Sequence, residues 1–127
     1  MQIRSAKDLT VYKQAYKLAM QVYRVSARFP TEERYSLTSQ VRRSSRSVCA
    51  NLREAWAKRR YEAHFLSKLT DADSENSETD TWLDFALDCG YISEKEYQDL
   101  VHQTQQIGAM LGKMLSQPAG FLLKPDP

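Results

Sequence analysis

The sequence predicts an all-α protein in which four amphipathic helices form an antiparallel, up-down-up-down four-helix bundle. Along four segments, apolar residues recur at steps of three and four, which is the period of a helix with one buried face. Glycine and proline number only four each and fall mostly between these segments. Because 127 residues make one domain of ordinary size, we expect the bundle to span residues 1–117 and a tail to span residues 118–127.

The first helix is predicted over residues 8–28. It ends before Pro30, since proline forces the preceding residue out of the helical region. Thr31 is a suitable N-cap for a second helix over residues 32–57, and the short connection makes the two helices antiparallel neighbours. Their predicted buried positions are Leu9, Tyr12, Ala15, Tyr16, Ala19, Val22 and Tyr23 in the first helix and Thr38, Val41, Ser45, Val48, Leu52 and Ala55 in the second.

No helix-breaking residue separates the second helix from the third. One continuous helix over residues 32–89 would far exceed the average of about 11–12 residues, so we place a turn near residues 58–61. The third helix is then predicted over residues 62–89. Its buried positions follow a heptad pattern: Phe65, Leu69, Ala72, Asn76, Thr79, Leu83 and Ala86.

A glycine and a capping motif mark the boundary between the third and fourth helices. Gly90 suits the position just after a helix, where a left-handed backbone conformation is common. Ser93 and Glu96 have the spacing of a capping box, which opens a fourth helix over residues 94–117. Its predicted buried positions are Tyr97, Leu100, Val101, Thr104, Ile107, Leu111, Met114 and Leu115.

Charged side chains of opposite sign are concentrated in different parts of the chain, although the net charge is only +2. Residues 34–60 are strongly basic and contain one carboxylate, Glu54. Residues 71–99 are strongly acidic and contain one basic residue, Lys95. This asymmetry indicates either attraction between helices or two surfaces of opposite charge. Within the acidic part, Asp73, Asp80 and Asp84 share one face of the third helix.

Several arginines of the basic part form a row. On a helical wheel, the arginines that fall within about 40° of one another are Arg42, Arg46, Arg53 and Arg60. The row could follow the phosphates of RNA, with Tyr35 or Trp56 stacking on exposed bases. Alternatively, Arg42 and Arg46 pair with Glu75 and Glu78 of the third helix, within one chain or between subunits. The candidate nucleic-acid-binding residues are Arg42, Arg43, Arg46, Arg53, Lys58, Arg59 and Arg60.

The chain carries no motif typical of a catalytic or cofactor site. Neither a Gly-x-Ser-x-Gly elbow nor a glycine-rich phosphate loop occurs. His64 and His102 are the only histidines, and neither belongs to the Glu-x-x-His pattern of a di-metal bundle. We therefore predict no enzyme, metal or cofactor, and instead a polar hydrogen-bond network inside the bundle or at an interface. Its candidate members are Gln40, Asn51, Glu75, Glu78 and Thr79.

More apolar side chains are available than one four-helix core requires. The surplus consists of Val11, Leu18, Met20 and Val25 on the first helix and Trp82 and Phe85 on the third. A second subunit would cover such surfaces, so we expect a homo-oligomer.

The sequence also favours a cytoplasmic location. No apolar run approaches the ~20 residues of a membrane span, and residues 1–8 lack the apolar core of a secretory signal. The two cysteines, Cys49 and Cys89, are expected to be buried thiols rather than a disulfide.

Three spaced motifs, taken together, resemble those of a known family. They are Phe29-Pro30-x-Glu32-Glu33-x-Tyr35-x-Leu37-x-x-Gln40-x-Arg42-Arg43-Ser44, then Ser47-Val48-x-x-Asn51-x-x-Glu54, then Phe65-x-x-Lys68-Leu69-x-x-Ala72-x-x-Glu75-x-x-Glu78-Thr79-x-x-Trp82-Leu83. The chain resembles the bacterial four-helix-bundle proteins encoded within intervening sequences of 23S ribosomal RNA, a family whose relatives include the accessory variability proteins of diversity-generating retroelements.

The resemblance implies a four-helix bundle assembled as a ring-like homopentamer. For the retroelement relatives it also implies a basic surface that engages RNA and a reverse transcriptase. The hypothesis from the sequence is therefore a non-catalytic, oligomeric bundle that associates with RNA, a ribonucleoprotein or a reverse transcriptase. The alternative is a protein-protein scaffold in which the basic and acidic surfaces pair within the oligomer.

Overall fold

The computed structural model describes residues 2–124 and contains four α-helices in that range. They are α1 (Thr10–Ser26), α2 (Leu37–Ala57), α3 (Glu62–Asp88) and α4 (Glu94–Ser116), accompanied by short 3-10 turns at Ala6–Asp8, Thr31–Glu33 and Pro118–Gly120. Each helix packs against the next one in the chain, and α1 packs against α4. Residues 2–124 contain no strand. The predicted all-α fold with four helices packed as a bundle is confirmed.

The start of α2 differs from the prediction. The helix begins at Leu37 rather than at residue 32, because residues 31–33 form a separate 3-10 turn, in which the Glu33 N–H donates to the Pro30 carbonyl at 2.9 Å. The Glu33 carboxylate accepts hydrogen bonds from the Ser36 hydroxyl at 2.6 Å and from the Tyr91 hydroxyl at 2.9 Å. Both hydrogen bonds lower the pKa of Glu33, and the bond from Ser36 has the larger effect. Thr31 is therefore not the N-cap of α2.

The ends of α3 and α4 agree with the sequence motifs. Gly90 has a φ of 77°, and the Tyr91 N–H donates to the Ala86 carbonyl at 2.9 Å, which is a Schellman end. At the start of α4, Ser93 and Glu96 exchange the two hydrogen bonds of a capping box. Between α2 and α3, the connection spans residues 58–61, the segment in which the sequence places a turn.

The core lies along the seams that the helical period predicts. The buried positions of α3 are Phe65, Leu69, Ala72, Asn76, Thr79, Leu83 and Ala86. All six predicted seam positions of α2 are also buried, from Thr38 to Ala55. Burial therefore follows the register of the helix even where the side chain is polar, as it is at Asn76 and Thr79.

The buried face of α1 is shifted from the predicted seam. Four predicted positions are buried, namely Leu9, Ala15, Ala19 and Val22. Val11 and Leu18 are buried in the core of this chain, whereas Tyr16 and Tyr23 are exposed. The prediction that Val11 and Leu18 are surplus apolar residues for a second subunit was therefore wrong. On α3, by contrast, Phe85 remains 54% exposed.

The tail that follows α4 packs on the bundle of its own chain. The Phe121 ring stacks on the ring of buried Phe65 with centroids 6.4 Å apart. The Leu123 N–H donates to the Arg59 carbonyl at 3.3 Å. The described part of the tail, residues 118–124, therefore contacts the bundle of its own chain, and residues 125–127 lie outside the described range.

The two cysteines differ in their burial. Cys49 and Cys89 are both free thiols. Burial raises the pKa of Cys49 to about 11, but Cys89 is exposed, so the prediction of a buried thiol was wrong for it.

Among the helices of residues 2–124, none combines the length and the apolar character that crossing a membrane requires.

Candidate nucleic-acid interface

A groove of about 730 Å³ runs along the outer face of the N-terminal half of α2. We call it the basic groove, and its lining consists of Arg34, Tyr35, Thr38, Ser39, Arg42, Arg43, Arg46, Ser47 and Ala50. Short side chains between the arginines leave the space open, and none of the lining residues is a carboxylate. Guanidinium and hydroxyl groups without a carboxylate suit an anionic ligand, because charge-assisted hydrogen bonds to its oxygens are strong.

Arg42 is held in place by α1. Its Nε donates to the Oγ of buried Ser26 at 2.8 Å, and its Nη2 donates to the Tyr23 carbonyl at 3.4 Å. The Arg42 guanidinium also lies 4.7 Å from the centroid of the Tyr23 ring, a cation–π distance. Arg42 therefore caps the C-terminal end of α1 and does not pair with Glu75 or Glu78 of its own chain, although one alternative expected this pairing. Pairing between subunits stays a prediction.

Arg43 is the arginine that pairs with α3. Its Nη1 lies 3.1 Å from a Glu75 carboxylate oxygen, and its Nη2 donates to Glu78. The bond to Glu78 raises the pKa of Arg43, and the bond from Arg43 lowers the pKa of Glu78. One residue turns an α-helix by about 100°, so Arg42 lies towards α1 while Arg43 lies towards α3.

Arg46 and Arg53 are exposed on the outer face of α2. Within residues 2–124, no carboxylate lies at ion-pairing distance from either of them. The Arg46 guanidinium lies 5.9 Å from the Tyr23 ring, on which Arg42 also packs. Arg46 was therefore wrongly expected to pair with Glu75 and Glu78 of its own chain, whereas pairing between subunits stays a prediction. Arg46 and Arg53 are both accessible to a ligand on this face.

The three basic residues after α2 do not continue the helical row. Lys58 and Arg60 are exposed in the turn that begins after Ala57. Arg59 is half-buried, and its guanidinium lies 3.6 Å from the centroid of the Trp56 ring. Burial lowers the pKa of Arg59. The helical wheel that groups Arg60 with the arginines of α2 assumes that the helix continues to residue 60. In the structure, α2 ends at Ala57.

The predicted polar network is divided into two parts. Gln40, Glu75 and Glu78 all contact Arg43. Next to them, the Thr79 hydroxyl donates a hydrogen bond to the Ser44 hydroxyl at 2.8 Å, and both side chains are buried. Asn51 is separate, since its Nδ2 donates to the Ser47 carbonyl of its own helix. The sequence did not single out Ser44, although its small polar side chain in a buried stretch is a signal for such a bond.

Two of the acidic residues of α3 contact α4. Asp80 accepts a hydrogen bond from the Thr104 hydroxyl at 2.7 Å, and Asp84 accepts one from the Tyr97 hydroxyl. The bond to Asp84 raises the pKa of Tyr97 to about 12. This acidic surface lies between α3 and α4, away from the basic groove on α2.

The positions of the histidines and carboxylates bear on metal binding. His64 lies beside the Tyr61 ring, with ring centroids 5.5 Å apart. In the part of the chain that the structure describes, no group of three His, Cys, Asp or Glu side chains is arranged to hold a metal ion. The residues assembled around the basic groove are arginines, hydroxyl groups and a tyrosine.

The chain is therefore a small helical-bundle protein with an arginine-lined groove on α2. The chain belongs to the 23S rRNA-intervening sequence protein family, whose family model matches residues 7–113. This family is the one that the spaced motifs resemble, so the resemblance is confirmed.

One solved structure is similar in both sequence and fold. It is a protein with unknown function from the S23 ribosomal protein family of Bacteroides thetaiotaomicron, with a TM-score of 0.78 and 26% sequence identity. The match covers 87% of this chain and 99% of that chain. No curated protein gives a significant match.

Proposed function

We propose that this protein binds RNA, without catalysing a reaction, through phosphate contacts in the basic groove. The observation that carries the proposal is the convergence of Arg34, Arg42 and Arg46 on a groove whose lining contains no carboxylate. The planar fork of an arginine side chain matches two oxygens of a phosphate group. A family named for intervening sequences of 23S rRNA supports RNA as the anionic polymer.

The arginines of the basic groove differ in how far they are fixed before binding. Arg42 is oriented by Ser26 and Tyr23, so little side-chain entropy is lost when it contacts a phosphate. Arg46 is exposed and, among residues 2–124, has no carboxylate at ion-pairing distance, and Arg53 extends the row by about 10 Å along the helix. A small net charge is compatible with binding, because the charge on this one face is positive.

The proposal is tested with the double variant Arg46→Ala, Arg53→Ala. We expect it to bind RNA about tenfold more weakly at low salt, because two phosphate contacts are lost. The slope of log K against log salt concentration should decrease by about 1–2, since fewer counterions are released. Fluorescence anisotropy of labelled RNA over a salt series measures both quantities.

A matched control removes two positive charges elsewhere. Lys95→Ala with Lys113→Ala changes the net charge by the same amount, but both residues are exposed on α4, which packs against α1 and α3 rather than α2. We expect this variant to keep both the affinity and the salt slope of the wild type. Equal losses in the two variants, or no retention of RNA by the wild type at low salt, contradicts the proposal.

A second candidate function is that of a protein-protein scaffold. One observation favours it: Phe85 is 54% exposed beside Trp82 on α3, and the Trp82 Nε1 donates to the Glu78 carboxylate, so an aromatic pair adjoins a carboxylate at the surface. In this candidate, the basic face of one subunit contacts the acidic face of the next, which produces the ring-like homopentamer that the resemblance implies. The resemblance also implies a further class of partner, namely a reverse transcriptase or another RNA-associated protein.

Reversal of one charge separates the two candidates. A scaffold of this kind predicts that Arg46→Glu dissociates the oligomer, because a carboxylate then faces the acidic surface of its neighbour. Light scattering measures the mass, and a wild-type value near 14.7 kDa would refute the oligomer. If Arg46→Glu keeps the wild-type mass but loses RNA binding, the result favours the RNA-binding function.

A further inference from the structure

Tyr35 stands out at the edge of the basic groove because this residue is 85% exposed. We infer that the groove takes an unpaired stretch of RNA in which one base stacks on Tyr35 while the arginines contact the adjacent phosphates. This inference rests on the proposed function and adds the class of RNA that the groove prefers.

The other aromatic rings beside arginines are already covered. The Tyr23 ring has the guanidinium of Arg42 at 4.7 Å and that of Arg46 at 5.9 Å. The Trp56 ring is covered by Arg59 at 3.6 Å. Among the described arginines, Arg34 alone has its guanidinium over the Tyr35 ring, at 5.6 Å, and the residue is 85% exposed. It is therefore the ring in this groove on which a base can stack.

The loop that carries Tyr35 is held on both sides. The Ser36 hydroxyl donates to the Glu33 carboxylate, and the Ser36 N–H donates to the Glu33 carbonyl at 3.0 Å. Tyr91 donates to the same Glu33 carboxylate from the α3–α4 connection. Because the backbone around Tyr35 is already ordered, little loop entropy is lost when a base stacks on its ring.

Stacking on a base, unlike phosphate contact, discriminates between unpaired and paired RNA. Arginines bind the phosphates of paired and unpaired RNA alike, and this term depends mainly on salt. The face of a base is accessible only where the base is unstacked and unpaired, as in single strands, loops and bulges. Tyr35 should therefore add affinity for unpaired RNA and none for a duplex.

The test compares two RNA probes on the Tyr35→Ala variant. The probes are a fluorescent oligouridylate, which remains unpaired, and a blunt-ended two-stranded RNA duplex with the same number of phosphates. We expect Tyr35→Ala to weaken binding of the oligouridylate about 5- to 30-fold, since stacking on one base contributes about 1–2 kcal/mol. Binding of the blunt-ended duplex should be unchanged, and Tyr35→Trp should restore binding of the oligouridylate.

Tyr16→Ala is the matched control, because Tyr16 is a 54% exposed tyrosine on α1 that does not line the basic groove. It should bind both probes like the wild type. If Tyr35→Ala weakens both probes equally, or leaves oligouridylate binding unchanged, the inference is overturned while the RNA-binding proposal stands. If the wild type binds neither probe at low salt, the proposed function itself is overturned.

Discussion

Replacing Phe65 with alanine is expected to lower the free energy of unfolding by about 3–5 kcal/mol. Phe65 is only 1% exposed and belongs to the main core cluster. Its removal takes away buried apolar area and leaves a cavity that the rigid helices around it fill only in part. The stacked Phe121 ring also loses its partner, so the tail should detach more readily. Urea denaturation followed by circular dichroism measures the change.

The same substitution at Phe85 serves as the control. Phe85 lies on the same helix but is 54% exposed, so Phe85→Ala should change the free energy of unfolding by less than about 1 kcal/mol. Phe121→Ala should fall between the two, since that ring is half-buried. Equal losses at Phe65 and Phe85 would mean that the core is not centred on the seam of α3.

The buried seam of α3 could be predicted because a single period describes it. Each position from Phe65 to Ala86 follows at a step of three or four, and the helix packs against both α2 and α4 along this line. Polar residues within the seam were also predicted, since the register, not the polarity, decides which side chain turns inward. The Asn76 side chain, for example, donates to the Thr104 carbonyl of α4 at 2.8 Å.

The seam of α1 could not be predicted in the same way. Apolar and aromatic residues occur on more than one of its faces, so the period alone admits two seams. The structure buries Val11 and Leu18 and leaves Tyr16 and Tyr23 at the surface, where their hydroxyl groups stay hydrated. Tyr23 then supports Arg42 and Arg46, a role that only the packing of α1 against α2 reveals.

For the basic groove, helical register predicted the exposed arginines but not their partners. Arg46 and Arg53 lie on the outer face of α2, as their spacing indicates. Which neighbouring helix lies on which side of that face is a tertiary property, and for this reason the sequence did not predict that Arg43, rather than Arg42, pairs with Glu75 and Glu78 within the chain. The wrong start of α2 has the same origin, since Tyr91, which helps to hold Glu33, is distant in sequence.

Neutralising the two carboxylates that hold Arg43 should strengthen RNA binding about thirtyfold at low salt. In Glu75→Gln with Glu78→Gln, Arg43 loses its ion pairs and becomes free to contact a phosphate at the edge of the basic groove. Two negative charges that repel RNA also disappear, each contributing roughly 1 kcal/mol after screening by salt. Anisotropy of labelled RNA over a salt series should show a steeper salt slope together with the tighter binding.

The glutamine substitutions preserve the fold, because each amide oxygen can still accept a hydrogen bond, including the one from Trp82 to residue 78 at 3.2 Å. Glu94→Gln with Asp99→Asn gives the same change in net charge on α4, across the bundle from α2, and should tighten binding much less. A scaffold in which these carboxylates join subunits predicts the opposite result, a loss of mass in light scattering without a gain in RNA affinity. If both double variants tighten RNA binding equally, net charge alone governs binding, and the basic groove is not the RNA site.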